Sequence, residues 1–116
     1  MTTKITSANL DNLPNLVDWQ SVVSSNTTMV AGRGYFVDTS GGAVTMTLPA
    51  SPSLGDTVII SQLNGSNAIT VGRNGNNING SASDSSLTAD GDSSTLVYSN
   101  ATEGWKTVNS TIAAVI

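Results

Sequence analysis

The chain has no cysteine and no histidine among its 116 residues. Without cysteine it has no disulfide, no thiol nucleophile and no thiolate-bound zinc. Without histidine it lacks the commonest general base and the commonest metal ligand. Charge is scarce too: 10% of residues are charged, against about 25% in an ordinary globular domain. The basic residues Lys4, Arg33, Arg73 and Lys106 are scattered and the net charge is −4. That pattern argues against a nucleic-acid partner, since phosphate binding calls for clustered lysine and arginine. No apolar run approaches the roughly 18 residues of a membrane span. Polar residues follow Lys4 where a secretion signal would be apolar. The expectation is a soluble protein made in a cytoplasm, with no membrane partner. Aromatics are few as well, with one Phe, two Tyr and two Trp. A small domain with so few large side chains has little apolar area to set against chain entropy. Self-association, or docking on a larger surface, would supply the missing burial.

Ser, Thr, Asn and Gly fill the places that Lys and Glu usually take. They suit strands and turns better than helix interiors. The strongest signal lies in residues 33–48. Val44, Met46 and Leu48 alternate with Thr45 and Thr47, the period of a strand with one buried face. Upstream, Tyr35 and Val37 point one way and Phe36 the other. Thr39-Ser40-Gly41-Gly42 lies between the two runs, and glycine there predicts a tight hairpin. Pro49 has no N–H for a ladder and ends the second strand.

Residues 1–28 read differently, as an extended or irregular arm. Leu10, Leu13, Leu16 and Val17 have helical spacing, but Pro14 and the surrounding asparagines oppose a regular helix. The arm carries apolar teeth at Ile5, Leu10, Leu13, Leu16, Val17 and Trp19. Two readings stand: the teeth cover the domain's own core, or they reach a neighbouring subunit. Short strands are expected over 18–23 and 27–31. Further strands are expected at 57–61, around Ile69 and Val71, at 94–98 and at 105–108, with a hairpin turn at Asn64-Gly65 and turns at Asn74-Gly75 and Asp90-Gly91-Asp92. The tail, with Ile112, Val115 and Ile116, is apolar and uncharged, so it is expected to pack on this chain or on a partner. About seven to nine short strands with frequent turns predict an all-β fold. The expected form is a compact antiparallel β-sandwich or partly closed barrel with an extended N-terminal arm. The domain division is 1–28 for the arm and 29–116 for the β module. A parallel β-helix is a rival near residues 69–81, but no second copy of adequate length is evident.

No catalytic constellation emerges. Asp38, Asp56, Asp84, Asp90, Asp92 and Glu103 could be paired for glycoside chemistry, yet most sit in turn contexts that aspartate favours for its own backbone bonds. Asp84, Asp90 and Asp92 lack the spacing and closing glutamate of a calcium loop. The expectation is a protein that is not an enzyme and has no cofactor and no metal. Tyr35, Tyr98 and Trp105 read as core rather than as a sugar-stacking platform. Trp19 is the aromatic expected in an interface, where tryptophan is enriched.

From Gly34 onward a succession of short motifs carries a resemblance. They are Gly34-Tyr35-Phe36-Val37-Asp38-Thr39, Thr47-Leu48-Pro49, Gly55-Asp56-Thr57-Val58, Ile69-Thr70-Val71, Arg73-Asn74-Gly75, Ile78-Asn79-Gly80, Leu96-Val97-Tyr98 and Gly104-Trp105. In this order, over roughly residues 29–108, they resemble a β module of tailed-bacteriophage virion structural proteins, above all tail fibres. The resemblance implies an architectural role, a homotrimer and location in the virion, with no catalytic residues to carry over. A short arm before one module looks more like a capsid decoration, or cement, protein bound to the major capsid protein. The alternative is a short head, neck or tail fibre subunit that adheres to host surface glycans. The expected docking residues are Ile5, Leu10, Leu13, Leu16, Val17, Trp19, Ile112, Val115 and Ile116.

Overall fold

The computed structural model describes residues 17–108. These hold nine strands and no helix: β1 (Asp18–Trp19), β2 (Thr27–Thr28), β3 (Arg33–Val37), β4 (Val44–Thr47), β5 (Thr57–Gln62), β6 (Ile69–Gly72), β7 (Ser85–Leu87), β8 (Ser93–Asn100) and β9 (Gly104–Thr107). They form a five-stranded sheet, ordered β1-β3-β5-β8-β9, and a four-stranded sheet, ordered β2-β4-β6-β7. The all-β expectation holds, and neither sheet closes on itself.

The pairing is not antiparallel throughout. β1, β3 and β5 run parallel, as do β2, β4 and β6, and only β7, β8 and β9 pair antiparallel. The chain therefore winds. It passes along the larger sheet, crosses to the smaller one, returns, and repeats. The hairpins expected at 39–42 and at Asn64-Gly65 do not form, because the strands on either side of each turn belong to different sheets. Their glycines carry the chain across the gap between the sheets. Alternating polarity could not reveal this: a strand buried on one face reads the same whether its neighbour in sequence pairs beside it or faces it across the core.

The second and third windings keep one offset. Arg33 pairs with Val58 in one sheet and Met46 with Val71 in the other, 25 positions apart in both cases. Residues 33–47 and 58–72 thus repeat one strand–turn–strand unit, although no second copy of adequate length is evident in the sequence. Only Ala43/Ala68 and Thr45/Thr70 are identical between them. What the copies share is apolar character at inward positions: Tyr35 with Ile60, Val44 with Ile69, and Met46 with Val71, all buried.

One core lies between the sheets. Tyr35, Val37, Val58, Ile60, Leu96 and Trp105 enter it from the larger sheet, and Val44, Met46, Ile69, Val71 and Leu87 from the smaller. Trp105 is fully buried and meets Tyr98 edge to face, with ring centroids 5.6 Å apart. The Tyr35 hydroxyl accepts the Val30 N–H at 2.9 Å, so a buried ring keeps a partner for its polar tip.

Where the windings turn between β3 and β4, and between β5 and β6, the core becomes polar. Thr39 and Gln62 are buried. Gln62 Nε2 donates to the carbonyls of Asn67, at 2.9 Å, and Leu87, at 3.2 Å. The Thr39 hydroxyl accepts the Asn67 N–H and stands 2.9 Å from Gln62 Oε1 and 3.1 Å from Asn64 Oδ1. It has one proton and can give it to only one of these oxygens at a time. The group is otherwise satisfied, as a buried polar cluster must be. It locks one winding to the next.

Candidate interaction surface

Four of the described carboxylates accept backbone N–H groups. Asp92 Oδ2 accepts the N–H groups of Thr88 and Ala89, Asp84 Oδ1 accepts that of Arg73, and Asp56 Oδ2 accepts that of Ser53. Asp38 accepts the Ser40 N–H and the Asn64 side-chain amide, and these bonds, that of the Ser40 backbone foremost, hold its carboxyl below the ordinary carboxylate range. No group of three or more acidic residues is close enough to hold a metal among the described residues.

The outward side of the larger sheet begins with an aromatic pair. In β3, Tyr35 and Val37 are buried, so Gly34 and Phe36 face out. Trp19, beside Gly34 in register, lies against it: a Cβ at position 34 would stand 2.7 Å from Trp19 Cε3. Only a hydrogen fits there, so glycine lets the indole lie close to the sheet. The Trp19 and Phe36 rings stack, with centroids 4.7 Å apart and planes 20° from parallel. Both stay open to solvent, Trp19 at 46% and Phe36 at 38% exposure. The outward rows beside this pair continue through Gly34, Ile59 and Thr95 and through Ser61 and Ser93 without a charge, and the next row, Thr57 and Val97, ends at Lys106, which pairs with Glu103.

Of the docking residues expected from sequence, the structure places two. Trp19 is exposed in this pair, and Val17 is half-buried just before β1. Ile5, Leu10, Leu13, Leu16, Ile112, Val115 and Ile116 lie outside the described residues. Residues 18–28, read as the end of the arm, supply β1 and β2 to the two sheets. Tyr35 and Trp105 are core, as the sequence indicated, and Tyr98 packs against the core. Phe36 was missed, although its place between Tyr35 and Val37 marks it as outward. Val22 and Val30 near the same sheet ends, and Leu54 on a loop, are also exposed, and single apolar residues of this kind carry no pattern that sequence could show.

Compared with known proteins, the chain matches no family model, and no curated protein matches it.

Proposed function

We propose that this protein is a bacteriophage virion structural protein, a capsid decoration (cement) subunit that stabilises the shell by bridging capsid subunits. The observation that carries the reading is the solvent-exposed Trp19–Phe36 stack, whose neighbouring outward rows on the sheet, Ile59 with Thr95 and Ser61 with Ser93, carry no charge. Tryptophan anchors of this kind dominate protein interfaces once water is excluded around them. The resemblance of residues 29–108 to virion β modules supports the same role. In this reading the body is a small wound sandwich that acts as a homotrimer on the major capsid protein. The apolar residues at the two ends of the chain add contacts beyond the aromatic pair. Binding adds stability to whatever state it selects, so purified protein added to undecorated shells raises their melting temperature. The reading fails if shells neither bind the protein nor gain stability.

A second reading keeps the virion and changes the partner: a short head, neck or tail fibre subunit that adheres to host surface glycans. Its support is the same pair, since an indole lying along a sheet surface is a platform on which a sugar ring can stack. Electron microscopy of virions carrying labelled protein separates the two, because shell faces and tail tips are distinct places. A parent protein that binds no host surface glycan would remove this alternative, and glycan binding that survives Trp19→Ala would take the aromatic pair out of it.

A further inference from the structure

Asn-Gly occurs three times in the chain, at Asn64-Gly65, Asn74-Gly75 and Asn79-Gly80. Asparagine is chemically least durable before glycine, which has no side chain to keep its backbone nitrogen away from the carboxamide. The fold treats the three pairs differently. Asn79-Gly80 belongs to a cap beyond β9. Trp105 N–H donates to the Asn77 carbonyl, Asn79 N–H to the Trp105 carbonyl, and Gly80 N–H to the Glu103 carbonyl. The Asn79 side chain exchanges hydrogen bonds with Thr107 through both ends of its amide. Gly104 has a positive φ of 71°, and a Cβ on it would collide with the Asn77 carbonyl oxygen, so the cap needs glycine there. Asn64-Gly65 is half-buried at the polar corner. The Asn64 amide donates to Asp38 Oδ1 at 2.6 Å, and its oxygen accepts the Ser66 N–H at 3.2 Å. Gly65 lies against the Asp90 backbone, with no room for a Cβ.

Asn74-Gly75 is held least. Both residues are exposed in the turn after β6, and a Cβ on Gly75 would meet nothing within 4 Å. Asn76 N–H donates to the Arg73 carbonyl at 3.2 Å, and the Arg73 guanidinium to the Asn76 carbonyl at 3.1 Å. One bond ties the turn to the body, from Asn74 Nδ2 to the Leu48 carbonyl at 2.9 Å. Asn74 Oδ1 and the Gly75 N–H have no hydrogen-bond partner among the described residues. We propose that Asn74 is a site of spontaneous deamidation, and the one of the three that reacts while the protein is folded. The Gly75 nitrogen loses its proton to hydroxide and attacks Asn74 Cγ. The new N–Cγ bond forms as the Cγ–Nδ2 bond breaks, and the side-chain nitrogen takes a proton from water and leaves as ammonia. Water then opens the five-membered imide at either carbonyl, leaving aspartate or isoaspartate and one more negative charge. No oxidant or reductant takes part. Opening the Asn74 turn breaks only the bonds just named, whereas Asn79 and Asn64 react only after the cap or the polar corner comes apart. A carboxylate at position 74 has no proton to give the Leu48 carbonyl, so the reaction also releases the turn from the end of β4. None of this depends on what the exposed aromatic pair binds.

Ageing the full chain at mildly alkaline pH tests it, with peptide mass spectrometry reading aspartate and isoaspartate at each position. In the folded protein Asn74 should convert about tenfold or more faster than Asn64 and Asn79. In concentrated urea, where all three pairs are free, their rates should fall within about threefold of one another, since each is followed by glycine. Equal rates in the folded chain, or faster conversion at Asn64 or Asn79, overturn the proposal. So does an Asn74 that stays intact in the folded chain while the unfolded chain reacts to completion. A tenfold preference for Asn74 that persists in urea also overturns it, because the neighbouring sequence and not the fold would then select the site. Gly75→Ala, measured in urea so that folding is not at issue, should slow conversion at position 74 about tenfold. An unchanged rate there rules out attack by the residue 75 nitrogen.

Discussion

The two ends of the larger sheet differ in what they are built to do. At β9 the backbone is sealed by residues 77–80, and the largest side chain of the core, Trp105, lies directly beneath the seal. At β1 two residues form the whole strand, and the tryptophan there lies on the outside. One tryptophan is thus used for folding and the other is left available. A chain with few aromatics has placed them by role, and substitutions at the two ends should separate stability from binding.

The largest effect is expected at the sealed end. Trp105→Ala empties the centre of the core and should lower stability by about 3–5 kcal/mol, measured by denaturant unfolding. Gly104→Ala should cost about 1–3 kcal/mol or more, because it adds a collision to a left-handed backbone. If either variant unfolds like the parent, the sealed end does not organise the core. Next comes the polar corner. Thr39→Val removes the acceptor of the Asn67 N–H and a donor to Gln62, and should cost about 1–3 kcal/mol.

At the β1 end the ordering reverses. Trp19→Ala should change unfolding by about 1 kcal/mol or less, since the ring is half in solvent, yet abolish partner binding. A large loss of stability with binding intact would erase the contrast between the ends.

The smallest expected effect concerns pH. Asp38 has its carboxyl lowered by the Ser40 and Asn64 hydrogen bonds. A lowered native value adds stability that is fully present above the unfolded carboxylate range and is lost as pH falls through the native one. Asp38→Asn should therefore flatten the acid side of the stability profile and leave its shape near neutrality unchanged. An identical acid limb in parent and variant would contradict this.

Much of the molecule was legible in the sequence. Alternation at Val44, Met46 and Leu48 and at Tyr35 and Val37 marked real strands and real inward faces. The burial of Trp105 followed from the scarcity of aromatics, whereas Trp19 was expected in an interface and the structure places it on the outward face. The winding was hidden for a physical reason. Its repeat is held by size and polarity at inward positions, as in Met46 and Val71, and by a corner where Thr39 is matched by Asn64. Few identities survive for the eye to find. Gln62 takes the inward place that Val37 holds one winding earlier, so the polar corner broke the alternation that would have exposed the copy. β7 was missed because Ser85 and Ser86 are exposed and only Leu87 turns inward. The exposed pair was half legible: Trp19 was chosen, and Phe36 was assigned an outward direction without a role.

The most direct test is the melting temperature of undecorated capsid shells, measured with the parent protein and with Trp19→Ala at equal concentration. The account predicts a rise with the parent and none with the variant, although both proteins are folded. No rise with either, or the same rise with both, would contradict it.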